Sequence, residues 1–553
     1  MGWRTHRTGT SRLILGRDYH IPYLYYYVSN SAYSSASGTA PEAVRLARHT
    51  GNCVLLADGA QVVQEVDLVM PVVERSDEHP EVGERRPLLP GRSPSTPAVD
   101  NDAVESTSEL WLLTTYSLPL IATYLLQYSF FVILTIVAGH LGPNDLAAAS
   151  IGITTMNVVG LAVFEGMATA LDTLCAQAYG SGNHVGVGLH IQRMLLLMAL
   201  VTVPIGVFWV CSPWVLPHIV KQHDIAVKAG SFLRYSLLGL PGYGAFEALK
   251  RFMQAQGNTN AGMVVLIICG PVNAVLSWAL AFPAGMGLEG AALGAALSNN
   301  LRFVLLLLYV VSPLGKWSHG CWGGFSQEAL KNWGSMIKLA AAGVIATLAE
   351  WGAFEVLTLS TSYISTEHLA AQTILTTATV IVWHIPFSIS VAVSTRIGYL
   401  IGAGLLPTAR RAVRLYCVVF VLVGFFDAAV LYIFRHHIPL IFTKDPVIRE
   451  ITARSSLTVA LFQAIDSILG GTNGMMRGLG RQDVAAWIVT VGNYAGSVPL
   501  AFFLELGTPK LGLDGLWIGV AVGSLIIIVS EGTYMRWLRW QNCVDSVKAR
   551  EVA

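Results

Sequence analysis

From Glu109 onward the chain is written in apolar blocks of about 20 residues or more, separated by short polar loops. At the helical rise of 1.5 Å, about 20 residues cross a hydrocarbon core about 30 Å thick. Only helices and closed barrels satisfy their backbone hydrogen bonds there. Twelve blocks are of this kind: 111–137, 146–176, 187–212, 230–254, 259–283, 288–312, 335–363, 368–399, 410–434, 450–475, 482–505 and 513–537. Composition agrees, with 53% hydrophobic and 12% charged residues, against about 25% charged in a soluble domain. The expected fold is an all-α membrane protein with twelve transmembrane helices. A net charge of +1 and the absence of a basic run argue against a nucleic-acid partner. Seven cysteines without CxxC or Cys/His spacing read as packed free thiols, with no metal site and no cofactor.

Residues 1–107 differ from the rest. They are rich in Ser, Pro, Glu and Arg towards their end, the composition of a disordered cytoplasmic tail. The first twenty residues lack the apolar core of a signal peptide, although four arginines before Asp18 give them a faint transit-peptide character. Glu84, Leu88 and Leu89 form an acidic dileucine pattern of the kind read by vacuolar and lysosomal sorting adaptors. Bases at helix ends and in loops, among them Arg193, Lys250, Arg251, Lys331, Arg410, Arg411 and Arg477, fall mainly on the tail's side of the membrane. That bias places both termini inside.

The second half of the blocks echoes the first. Gly287-Leu-Glu-Gly returns as Gly512-Leu-Asp-Gly, Gly180-Ser-Gly182 as Gly402-Ala-Gly404, and Arg251-Phe-Met-Gln-Ala-Gln-Gly257 as Gly474-Met-Met-Arg-Gly-Leu-Gly480. Six crossings return a chain to its starting side, so both copies keep the same orientation. Two six-helix lobes related by a pseudo-two-fold axis along the membrane normal follow, an arrangement found in transporters. The expected divisions are an N-lobe at 108–315 (helices 1–6), a loop at 316–333, a C-lobe at 334–540 (helices 7–12) and a cytoplasmic tail at 541–553.

The stretches PLIATYLLQYSFFVILTIVAGHLG, GMATALDTLCAQAYGSGN, KRFMQAQGNTN, ATLAEWGAFE, SVAVSTRIGYLIGAG and NGMMRGLGRQ, in this order, resemble the MATE (multidrug and toxic compound extrusion) transporters of fungi and plants. The resemblance covers about residues 109–540. It implies twelve helices in two lobes forming a V. It also implies export of organic cations and other amphiphiles by antiport with protons or sodium, usually protons in eukaryotic relatives. The family's acids in the seventh helix match Glu350 and Glu355, and the plant-type acid in the tenth matches Asp466. Where the family commonly reads EWW, this chain has Glu350-Trp351-Gly352. Prokaryotic relatives often carry an acid in the first helix, where this chain has Gln127.

Counting at the helical rise puts Glu350 about 18 Å beyond Lys338 and about 22 Å before Ser365, and Asp466 about 16 Å from Arg477. Both are mid-membrane, where an unpaired carboxylate costs a few kcal/mol or more. Buried in low dielectric, a carboxyl holds its proton until a cation or water arrives. Glu350, Glu355 and Asp466 are therefore the candidate coupling acids, with permanently protonated structural acids as the bland reading. Five residues turn Glu355 about 140° from Glu350, so the two need not share a face. At the repeat offset Glu350 aligns with Gln127, which makes the position ionisable in the C-lobe alone.

Candidate pocket residues are Gln127, Trp351, Phe354, Trp383, His384 and Asn473, each with a packing alternative. Glu165 and Asp172 read as structural hydrogen-bond partners. The expected activity is antiport of amphiphilic organic cations against protons, sodium being the second choice, by a monomer in the lipid bilayer of the vacuole or plasma membrane. The alternatives are a flippase for lipid-linked precursors, which would want a basic cavity, and a membrane enzyme. The latter has no HExxH or GxSxG in any span.

Overall fold

The computed structural model describes residues 101–220, 222–315, 320–508 and 510–552, and four short strands before them. The strands β1 (Tyr25–Tyr26), β2 (Val44–His49), β3 (Asn52–Ala57) and β4 (Gln64–Glu65) pair antiparallel in chain order, with Val44 opposite Ala57 and His49 opposite Asn52. They are an exception within the tail read as disordered: the two longer strands, VRLARH and NCVLLA, carry Val and Leu, while the Ser/Pro-rich composition lies elsewhere. The dileucine at Glu84, Leu88 and Leu89 lies outside the described residues.

Twelve helices follow. They are α1 (Asn101–Leu141), α2 (Pro143–Gly180), α3 (His184–Ile219), α4 (His223–Ser236, continued through Leu237–Gly239 into Leu240–Ala255), α5 (Asn260–Ala281) and α6 (Gly287–Val311). The second set is α7 (Gly334–Ser360), α8 (Thr366–Gly402), α9 (Leu406–Ile433), α10 (Pro446–Gly478), α11 (Gln482–Leu506) and α12 (Leu513–Trp537). A shorter helix, α13 (Gln541–Val552), occupies the segment read as a C-terminal tail. α1 begins at Asn101, inside the segment assigned to the N-terminal tail, because nothing in Asn101–Ser108 breaks a helix.

Ten of the twelve are apolar and long enough to cross a bilayer by length and composition. The other two, α4 and α10, carry more charge, and the packing explains it. α4 is enclosed by α2, α3 and α6, and α10 by α8, α9 and α12. Both can carry polar residues on faces that never meet lipid.

The repeat is visible in the backbone. Gly182 and Gly404, Gly257 and Gly480, and Gly287 and Gly512 are matched pairs, and all six adopt positive φ, between 58° and 86°. A side chain disfavours that conformation, so each pair marks the same turn built twice. The two copies bend their second helix differently. α2 carries a π turn at Asn157–Leu161, whereas α8 carries Pro386.

The lobes meet along α2, α7 and α8, and touch closely at one end. A Cβ on Gly180 would lie 2.1 Å from the Tyr399 carbonyl oxygen, and one on Gly402 would lie 2.1 Å from that of Gln177. These contacts exchange repeat-equivalent residues, as a two-fold relation requires. The same end is tied by Gln177 Nε2 donating to Gly478 O (2.9 Å), Thr173 Oγ1 to Arg477 O (2.6 Å), and Gln482 Nε2 to Thr169 O (2.8 Å). Glu109 of α1 accepts from Arg396 of α8 and from Tyr416 of α9. Helix α13 packs on both α2 and α8.

Candidate functional site

A cavity of about 90 Å³ lies between the lobes, beyond the closed end. Its N-lobe wall is Glu165, Thr169 and Arg251. Its C-lobe wall includes Glu350, Trp351, Trp383, Phe387, Ser390, Asn473 and Arg477. The volume is well below the roughly 300–1,000 Å³ of drug-sized pockets. It has room for a cationic head group or a few waters.

The N-lobe wall is backed by paired charges. Arg251 Nη1 donates to both oxygens of Asp172 at 3.0 Å. Lys250 Nζ donates to Glu247 (2.9 Å) and to Gln127 Oε1 (3.1 Å), and sits 4.3 Å from the centre of the Tyr124 ring. Tyr243 Oη donates to Glu165 Oε1 at 3.2 Å, and Arg302 stacks between Tyr243 and Phe246, 4.7 Å from each ring. Asp172 and Glu247 are thus paired with Arg251 and Lys250, while Glu165 is held by a tyrosine and Arg302 by ring faces.

Lys250 and Arg251, counted among the bases of the inside helix ends and loops, do not face solvent there. Both are buried, and they follow Glu247 at the three- and four-residue spacings that pair side chains on one helix face. That spacing, in EALKR, was the signal available. Arg477, at the end of α10, lines the cavity and donates through Nη2 to Ser390 Oγ at 2.7 Å.

The C-lobe differs. Glu350 faces the cavity and forms no salt bridge among the described residues. The opposing charge acting on it is that of Arg477. Asp466 is buried outside the cavity lining, close enough to Glu350 and Asp427 for their charges to act on it. Asp427, on α9, is fully buried. Its Oδ2 accepts from Ser467 Oγ at 3.0 Å, and its Oδ1 has no partner. Glu531, on α12, is also fully buried and neither oxygen accepts a hydrogen bond. Neither Asp427 nor Glu531 was picked out as a candidate, although each is an acid inside an apolar run, in FFDAAV and IVSEGT. That was signal enough.

The other candidates separate. Trp351, Trp383 and Asn473 line the cavity, with Trp383 stacked on Phe387 (4.5 Å, 21°). Glu355 is exposed and lines none of the three described cavities, as the turn between it and Glu350 allows. Phe354 packs edge-on against Phe462 in the C-lobe core at 5.9 Å. The Nδ1 of His384 is engaged by the Val380 carbonyl at 2.6 Å, and its ring meets Tyr128 at 5.1 Å. Gln127 belongs to a separate small N-lobe cavity with Arg302. Gly352, where the family's second aromatic would stand, leaves space taken by Tyr494, whose Oη is 2.8 Å from a Cβ built there.

Two six-helix lobes around a shared, partly charged cavity define a membrane transporter of the internally repeated kind. Comparison with known proteins gives the particular lineage. The family model MatE matches twice, at residues 119–279 and 343–503, the two matches starting 224 residues apart. The chain belongs to the MatE family. It is 37% identical to the "Uncharacterized transporter YDR338C" of Saccharomyces cerevisiae over 79% of this chain and 62% of that protein. It is 32% identical to "Protein DETOXIFICATION 16" of Arabidopsis thaliana over 79% of this chain and 89% of that protein. Among solved structures it superposes on the eukaryotic MATE transporter AtDTX14 with a TM-score of 0.76 and 26% identity, covering 81% of this chain and 99% of that one.

Proposed function

We propose that this protein is a secondary antiporter exporting amphiphilic organic cations, or other xenobiotics and metabolites, in exchange for protons. The observation that carries the reading is Glu350: a cavity-facing acid, unpaired, flanked by Trp351 and within the same lining as the Trp383–Phe387 stack. Aromatic faces attract organic cations, and a desolvated carboxyl holds either a proton or the charge of such a cation. Competition for that one group is the exchange. Asp466, behind the wall, passes the proton on or stores it.

The lobes close at the end holding Gly180, Gly402 and Gly478. With both termini cytoplasmic, that end is the inner one. The conformation is then sealed from the cytoplasm and poised to take up a proton from the far side. The chain acts as a monomer in the vacuolar or plasma membrane. Flippase activity on lipid-linked phosphates is less well supported, because Arg251, one of the two cavity guanidiniums, is already committed to Asp172.

Proteoliposomes with an imposed pH gradient test this. Ethidium uptake should follow the gradient, collapse with a protonophore, and fail with Glu350→Gln. Uptake that a sodium gradient alone drives would replace the proton in the scheme. Uptake indifferent to both gradients would sink the antiport reading.

A further inference from the structure

A third cavity, of about 350 Å³, lies at the closed end and shares no lining residue with the interlobe cavity. It is walled by α2, the first turns of α3, residues 328–332 of the interlobe loop, and α13. The loop wall is fixed to α3: Gln192 Nε2 donates to Gly324 O at 2.8 Å, and Arg193 Nη2 donates to Glu328 O at 3.3 Å. The α13 wall reaches the seam between the lobes. Arg550 Nη2 and Gln177 Nε2 would lie 3.4 and 3.1 Å from a Cβ built on Gly480 of the C-lobe. Gln177, itself in the lining, makes the bond to Gly478 O that ties the lobes.

The lining holds three bases, Arg193, Lys331 and Arg550, and one acid, Glu328. α3 begins there as well, and a helix N-terminus favours anions. Three lining residues carry buried polar atoms with no hydrogen-bond partner among the described residues: Arg193 Nε, His190 Nδ1 and Gln177 Oε1. Arg193 Nε can only donate, and Gln177 Oε1 can only accept. Gln177 is 2% exposed and its Nε2 is held by Gly478, so Oε1 is the atom left to receive a hydrogen. Phosphate oxygens satisfy guanidinium and ammonium groups, and a hydroxyl satisfies the amide oxygen. Among the described residues no Phe, Tyr or Trp lines the cavity to stack a nucleobase, which favours a polyol over a nucleotide. The volume falls within the roughly 300–1,000 Å³ of small-molecule pockets.

We propose that this cavity binds a hydroxylated phosphate, of the inositol or sugar phosphate class. The bound ligand clamps the interlobe loop and α13 to α2 and α3, and so holds the lobes shut at this end. Free phosphate esters and lipid head groups share this chemistry. The site stands apart from Glu350, and the inference does not rest on the antiport reading.

The test offers the purified full-length protein, in nanodiscs, two probes: soluble inositol trisphosphate, and phosphatidylinositol bisphosphate in the bilayer. Binding is titrated, and hydrogen–deuterium exchange is followed at residues 328–332 and 541–552. At least one probe should bind saturably and slow exchange in both segments. Arg193→Gln combined with Arg550→Gln should weaken that binding at least about tenfold, as the loss of charge-assisted contacts requires. Binding of the soluble probe makes a free phosphate ester the ligand, and binding of the lipid alone makes it a head group. Failure of both probes, or an affinity that the double variant leaves unchanged, overturns the site. Binding that leaves exchange in the two segments unslowed overturns the clamp. Should the double variant not fold, Lys331→Glu reverses an exposed loop charge and should weaken binding by a similar factor, and wild-type affinity there overturns the proposal.

Discussion

The two lobes share a fold and differ in how they treat buried charge. In the N-lobe, Asp172 is bonded to Arg251 and Glu247 to Lys250 at 3.0 Å or less, and Glu165 accepts from Tyr243. In the C-lobe, Glu350, Asp427, Asp466 and Glu531 are buried or cavity-facing acids that form no salt bridge among the described residues. The paired acids, Asp172 with Arg251 and Glu247 with Lys250, have no reason to exchange protons with anything, because neutralising one member strands another. Acids without bases stay in a membrane only by keeping protons, and kept protons can be traded. Duplication supplied two equal frames, and the chemistry separated them.

That contrast can be broken most directly at Arg251. Arg251→Met should strip Asp172 of its bidentate partner and destabilise the protein by about 3–5 kcal/mol. Thermal unfolding in detergent would show it. A variant as stable as wild type would mean that Asp172 does not depend on its ion pair. Glu350→Gln tests the other side: gradient-driven uptake should fall by at least about tenfold, with stability changed by less than about 1 kcal/mol. If it unfolds instead, Glu350 is structural.

Gly402→Ala probes the contact that lets the lobes differ and still close. A methyl 2.1 Å from the Gln177 carbonyl should cost about 1–3 kcal/mol against this conformation. Hydrogen–deuterium exchange around residues 173–182 and 398–404 should rise. The smallest effect is expected for Asp427→Asn, which keeps an acceptor for Ser467 Oγ and should alter stability by less than about 1 kcal/mol. A larger loss would show Asp427 to be ionised and paired.

The helices and the duplication were legible in the sequence because hydrophobic length and glycine turns are local signals. Gly287 and Gly512 need no partner in space to announce themselves. The lining of the cavity was partly legible: Glu350, Trp351, Trp383 and Asn473 stand where mid-membrane depth and family motifs pointed. Charge balance was not. Lys250, Arg251 and Arg477 lie near helix ends, and linear counting assigns such residues to the rim. Their burial depends on which helices α4 and α10 are packed between. Phe354 and His384 failed for the converse reason, since depth says nothing about the direction in which a ring points.

The reciprocal approach of Gly180 and Gly402 has a last consequence. Main chain lies against main chain there, so that contact itself orders few side-chain rotamers. The resting orientation of the carrier is then sensitive to two hydrogen atoms standing where other residues bear a carbon. Enlarging either would tilt the protein towards its other face without touching a charge. Which side of the membrane meets the acids first is a matter decided more than ten residues along the helix from Glu165, at a seam with no chemistry of its own.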